Sequence, residues 1–267
     1  MIIDVPEKEK TMTYENLIVE DKDHIRIITL NHPPVNAWNW GLMSDFEKAI
    51  GAAENDKEVR VVIITGGGEK AFSAGFDLSD SENAHKTSPK GRELWTRLDR
   101  FSKPVIAAIN GHVLAGGLEL ALSCHFRIMV DDPNVNVGLT ELNVGIIPGW
   151  GGTQRLTRIV GKARALDMIL FSTRINPQQA LEAGLANQLT APDKLLETAI
   201  EFGQKLVKRP PLAVGCVLKA ISAGEYEGFE RGLAVEEEGS AVVGASKDRI
   251  EGFTAFLEKR EPVFTGE

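Results

Sequence analysis

Residues 105–130 read VIAAINGHVLAGGLELALSCHFRIMV, and this stretch decides the fold. Val105–Ile109 is short, rich in β-branched residues and apolar at every position, as a strand buried on both faces would be. Phe126–Val130, apolar but for Arg127, reads as a second strand. Between them, Gly116-Gly117-Leu118-Glu119-Leu120-Ala121-Leu122 reads as a helix opening at a glycine pair. Strand, helix, strand within so few residues implies a right-handed crossover between parallel neighbours.

The same pattern extends upstream. Val59–Thr65 is another almost wholly apolar run, and Ile25–Leu30 another β-branched one. Leu42, Phe46, Ala49 and Ile50 fall at helical spacing, as do Leu94, Leu98 and Phe101. The prolines of His32-Pro33-Pro34-Val35-Asn36 make that segment an extended turn. Residues 66–90, rich in Gly, Ser and Asp, are expected to form a long loop, a place where function often resides. Downstream, Gly151-Gly152-Thr153-Gln154 opens a helix. Asn176-Pro177 supplies a cap and first-turn proline, and Gly184 a stop. Residues 192–260 are nearly all helical in pattern, with breaks expected at Lys208-Arg209-Pro210-Pro211 and at Gly224. The fold class is therefore α/β: a loose tail over 1–12, an α/β core over 13–195 that carries the active site, and a helical region over 196–267.

Composition limits the function classes. At 267 residues the chain needs no staples to build a core. Its 43% apolar and 25% charged residues are those of an ordinary globular protein. Thirty basic against 38 acidic residues give a net charge of −8, which argues against broad nucleic-acid binding. Cys124 and Cys216 make no CxxC pair and are expected to be reduced thiols. No secretory leader is apparent at the start of the sequence and no apolar run is long enough to span a membrane. A cytoplasmic location is the expectation.

The chemistry-bearing residues cluster. Gly66-Gly67-Gly68-Glu69-Lys70-Ala71 fits a dinucleotide-binding GxGxxA pattern, but no helical period follows it, so nicotinamide binding is not expected. Two glycine turns, Ala74-Gly75-Phe76-Asp77 and Ala115-Gly116-Gly117, follow buried strands. Each alone is a tight chain reversal; together in an α/β core they are candidates for paired N–H donors around one ligand atom. Glu119 stands in an otherwise apolar and glycine segment, where a carboxylate is costly to bury without a partner or a task. Glu141, ahead of the glycine-rich stretch 145–152, adds a second acid and suggests a carboxylate pair for acid/base work. His112 and His85 are expected to meet solvent or make structural hydrogen bonds. No metal-ligand pattern is evident.

Several ordered motifs carry a family resemblance: Glu-Lys-Ala-Phe-Ser-Ala-Gly-Phe-Asp-Leu (69–78), Lys-Pro-Val-Ile-Ala-Ala-Ile-Asn-Gly (103–111), Ala-Gly-Gly-Leu-Glu-Leu-Ala (115–121) and Pro-Gly-Trp-Gly-Gly-Thr-Gln-Arg-Leu (148–156). With residues 176–186 and 251–264, they resemble the enoyl-CoA hydratase/isomerase (crotonase) superfamily. The resemblance implies a spiral of ββα repeats with a helical trimerisation region, acyl-CoA thioester substrates, no cofactor beyond the coenzyme A of the substrate, and trimers or hexamers. It implies that the N–H groups of Phe76 and Gly116 form an oxyanion hole. Ala74, Phe76, Asp77 and Leu78, with Gly116 and Trp150, would bind substrate. Acids at both Glu119 and Glu141 resemble the hydratase branch; isomerases often keep only the second. Another chemistry on the same scaffold (isomerisation, thioester hydrolysis, C–C cleavage) is the alternative, and a catalytically silent binding member the remaining one. Trp150 stands where small residues are common, Thr140 where proline is, and His125 where aspartate is. The stretch from Cys124 to Glu141 is about two residues longer than usual for the family.

Independently of the resemblance, Leu212, Val214, Val217, Leu218 and Ile221 spread around most of a helix's circumference, as in a helix–helix interface between subunits.

Overall fold

The apolar runs lie side by side. In the computed structural model, which describes residues 13–267, β1 (Leu17–Lys22) pairs antiparallel with β2 (Ile25–Leu30) across a tight turn. Asp23 and His24 make that turn with φ of 48° and 66°, the left-handed region that two-residue hairpins use. β3 (Val61–Gly66), β5 (Val105–Ile109), β7 (Phe126–Val130) and β9 (Gln188–Thr190) then extend the sheet in parallel in that order. A second, three-stranded parallel sheet is made by β4 (Ala71–Ser73), β6 (His112–Leu114) and β8 (Val137–Gly138).

From β3 onward, each turn of the chain gives one strand to the large sheet and the next to the small one. It then leaves through α2 (Ala84–Asp99) after β3 and β4, or α3 (Gly116–Ser123) after β5 and β6. This is the α/β spiral of ββα turns. Every residue of β3 and β5 is buried because helices cover both faces. Val62, Ile64, Ala107 and Ile109 pack toward α2 and α1 (Trp40–Asn55), meeting Phe46, Ile50, Leu94 and Leu98. Val61, Ile63, Ile106 and Ala108 point the other way, onto Ala199 and Val207 of α7 (Leu195–Val207). The period-two alternation of a strand thus supplies two cores at once.

Past the sheet, α4 (Gly152–Val160), α5 (Lys162–Leu170) and α6 (Pro177–Glu182) follow, the last begun by a capping box in which Asn176 and Gln179 exchange hydrogen bonds. α8 (Pro211–Glu227), α9 (Phe229–Gly244) and α10 (Lys247–Glu258) form the helical end. The tail expected over 1–12 lies outside the described residues.

Two expectations are corrected. Residues 66–90 are not one loop: they hold β4, a 3-10 turn over Leu78–Asn83 capped by Asp77, and the start of α2. Pro89 and Gly91 disfavour a helix by propensity, yet Thr87 and Gly91 are buried against the core, and packing outweighs propensity. Gly224 does not break the last helices either. α8 runs through it, and α9 crosses there closely: a β-carbon on Gly232 of α9 would sit 2.7 Å from the Gly224 Cα, so that position on α9 requires glycine. The break falls at Gly228 instead. Among the described residues no helix is long and apolar enough to cross a membrane.

Candidate active site

The two glycine turns meet. A β-carbon on Gly75 (φ 90°) would lie 2.9 Å from the Gly116 nitrogen and 2.8 Å from the Ala115 β-carbon, so only glycine lets the turns abut. Phe76 forms a parallel bridge with Trp38, in which Trp38 N donates to Gly75 O at 2.8 Å and Asp77 N donates to Trp38 O at 3.1 Å. The N–H of Phe76 therefore points to the opposite edge of its strand. Gly116 opens α3, so its N–H has no acceptor within the helix. Ala115 before it sits at φ 49°, rare for a residue with a side chain, and its own N–H is pinned to Gly138 O at 2.9 Å. Two main-chain donors thus stand at adjoining turns.

Glu119 lies one helical turn on and is 2% exposed. Its Oε1 accepts from Trp150 N at 2.8 Å and Gly152 N at 2.7 Å. Burial, the largest effect, raises its pKa above the ordinary carboxylate value; the two N–H bonds, with Arg155 and Arg92 more distantly, oppose that rise without cancelling it. Glu141 begins a one-turn 3-10 helix, Glu141–Val144, and is 6% exposed. Both its oxygens are buried and make no hydrogen bond among the described residues. Burial first, and the charge of Glu119 second, raise its pKa to about 7. One carboxylate is held by two main-chain donors while burial keeps the other near half protonation at neutral pH, so their surroundings differ as those of a base and an acid do.

The remaining residues fall as follows. Ala74, Phe76 and Asp77 are half-buried on the first turn, and Leu78 is exposed beside them. The Asp77 side chain accepts from Ser79 N and Ser79 Oγ, so it caps the next turn. Trp150 is buried: its ring fills the space against Gly116 and Gly91, where β-carbons would come within 2.3 and 2.5 Å of it. It is thus a floor beneath the Gly116 turn as much as a wall. His112 Nδ1 accepts from Asn136 N, and His85 bonds Glu82 O at the surface, both structural contacts. No helix opens after Gly66-Gly67-Gly68; β4 follows. Cys124 and Cys216 are free, and burial pushes the Cys124 thiol up to about 12.

Sequence reasoning missed Trp95. Its indole Nε1 donates to Gly116 O at 3.2 Å, and its ring meets Trp150 edge-on at 5.4 Å. The spacing of Gly91 and Trp95, four apart on one helix face, was the available signal. The two N–H groups that hold Glu119 belong to the main chain and have no side-chain signature beyond the glycines around them.

A sequence model described as Enoyl-CoA hydratase/isomerase matches residues 20–267. The short-chain-enoyl-CoA hydratase of Clostridium acetobutylicum is 38% identical over 256 residues, covering 94% of this chain and 97% of that one. The 2,3-dehydroadipyl-CoA hydratase of Escherichia coli is 39% identical over 254 residues, covering 94% and 98%. The crystal structure of an enoyl-CoA hydratase from Bacillus anthracis superposes with a TM-score of 0.90 at 38% identity, covering 95% of this chain and all of the other.

Proposed function

The chain belongs to the enoyl-CoA hydratase/isomerase family, and from this premise we propose that it is a hydro-lyase adding water reversibly across the double bond of a 2-enoyl-CoA thioester. The observation that carries the reading is the unequal pair of buried carboxylates beside two adjoining main-chain donors.

Attack of water at the β-carbon pushes charge onto the thioester oxygen. The N–H groups of Phe76 and Gly116 receive that charge, each contributing about 2.7–4 kcal/mol if they act as oxyanion donors elsewhere do. Glu119, held by Trp150 and Gly152, takes a proton from the water when in its ionised form. Glu141, in its protonated form, gives one to the α-carbon. One C–O and one C–H bond form as the C=C π bond is lost, and the glutamates exchange protonation states until the product leaves. Ala74, Phe76, Asp77 and Leu78 line the coenzyme A side, and the coenzyme A of the substrate is the one cofactor this chemistry uses. An isomerase needs only a single proton shuttle, which Glu141 alone provides; the cradle built around Glu119 favours hydration.

The chain assembles as trimers or hexamers in this reading, supported by exposed apolar side chains on α8 and α10. Nucleic acid and membrane are not partners in it, and the cytoplasm is its setting. The test is a panel of crotonyl-CoA, longer 2-enoyl-CoAs and a dicarboxylic enoyl-CoA, followed by loss of the conjugated thioester absorbance. Hydration of at least one is expected; turnover of none by a folded protein overturns the reading in favour of a silent binding member.

A further inference from the structure

The loop that holds Glu119 has its own support, on the side away from the glycine turns. Arg155, early in α4, folds back under it, and its Nη1 donates to Trp150 O at 2.8 Å. The guanidinium fills the space beside Gly151 (φ 107°), where a β-carbon would lie 2.1 Å from Nη1, so the loop can cross it only through glycine. Arg155 is buried and needs a counter-charge. Its Nε donates to Asp99 Oδ2 at 2.9 Å, and among the described residues Asp99 is its one ion-pair partner. The Tyr226 hydroxyl of α8 donates to the same oxygen. The Tyr226 ring lies between the guanidinium groups of Arg100 and Arg158, 5.2 and 4.7 Å from its centroid.

We infer that Tyr226, Asp99 and Arg155 form a strut that positions the Glu119 carboxylate, so that the helical end of the chain sets the geometry of water activation without touching the substrate. The chain of contacts is continuous: Tyr226 to Asp99, Asp99 to Arg155, Arg155 to the Trp150 carbonyl, and the Trp150 and Gly152 N–H groups to Glu119. All three are positioning residues, and their role rests on the one proposed for Glu119. The charged groups that face Glu119 are Glu141 from the 3-10 turn, Arg92 from α2 and Arg155 from α4. Slackening the loop weakens the two N–H bonds that oppose burial, so the Glu119 pKa rises.

Arg155→Lys keeps the charge and loses the fork, so it reports the bonds rather than the field. Expected is a fall in kcat of about 10- to 100-fold, the scale of a small misplacement of a reacting group. KM should stay within about twofold, and the acid limb of kcat/KM should move to higher pH as the Glu119 bonds weaken. Tyr226→Phe keeps the ring between its two arginines and should move both quantities the same way by a smaller factor; it carries the test if Arg155→Lys does not fold. Glu119→Gln is measured alongside. If it is inactive while the folded strut variants keep wild-type kcat and acid limb, even with a lowered melting temperature, the strut is overturned and the role of Glu119 stands. Full hydration by Glu119→Gln overturns the reading beneath both.

Discussion

Glu119 and Glu141 have the same side chain and meet opposite surroundings, and the proposed chemistry depends on that difference. Two main-chain donors hold the first; the second makes no well-formed hydrogen bond, and the nearby main-chain N–H groups of Thr140 and Glu141 do not offset its burial. Glu119→Gln and Glu141→Gln are nearly isosteric, and each should cut kcat by about 10²–10⁴, the usual weight of a positioned acid or base. Because both serve one addition, the double variant should lose far less than the product of the two losses, checked by a double-mutant cycle. The kcat/KM profile should be a bell whose alkaline limb falls near pH 7, where Glu141 loses its proton. Hydration and dehydration should share that bell, since the forms they need carry the same number of protons and differ only in which glutamate holds one. A stability signature follows with its own sign. The folded pKa of Glu141 lies above the ordinary 4.5, so the folded state binds the proton more tightly, and stability falls as pH rises from about 4.5 to about 7. Glu141→Gln should therefore be more stable than the parent at pH 8 and equal to it at pH 4, as urea unfolding at the two pH values will show.

At the scale of elements, α2 and α3 are joined by fit rather than by charge. Gly91 on α2 leaves the space that the Trp150 ring occupies, and that ring lies against Gly116 at the head of α3. Trp95 completes the contact through its bond to Gly116 O and its edge-on packing with Trp38, Phe46 and Trp150. Gly91→Ala puts a methyl group 2.5 Å from the Trp150 Cε2. It should cost about 1–3 kcal/mol, as overpacking does, and depress kcat because the displaced ring lies against the Gly116 turn. Adding Trp150→Leu should restore part of the lost stability, measured by urea unfolding of the single and double variants.

For the whole molecule, the exposed apolar side chains concentrate where one copy leaves them unpaired. Val217 and Ile221 on α8, and Ile250, Phe253, Phe256 and Leu257 on α10, are all exposed. Covering them against further copies removes that surface from water, at roughly 25 cal/mol per Å². Sedimentation equilibrium at micromolar concentration should find a species three or six times the 29.1 kDa chain; a 29.1 kDa species would overturn the assembly.

Four strands of the large sheet were legible in the sequence because buried parallel strands are nearly continuous apolar runs, as Val59–Thr65, Val105–Ile109 and Phe126–Val130 are. Both glutamates and both glycine turns were legible because a carboxylate or paired glycines in such company stand out. The mostly exposed edge strand β1 and the short strands β4, β6, β8 and β9 were not, since an exposed polar edge or two or three residues hold no clear period, and α2 was hidden by Pro89 and Gly91. Tertiary structure alone decided which glutamate is given hydrogen-bond donors. It does so through the main-chain N–H groups of Trp150 and Gly152, brought across from 31 and 33 residues away, and every residue type carries such groups. It decided likewise that Asp99, Arg155 and Tyr226, ordinary polar residues in the chain, converge on that cradle: a hydrogen bond depends on position in space, which local pattern does not encode.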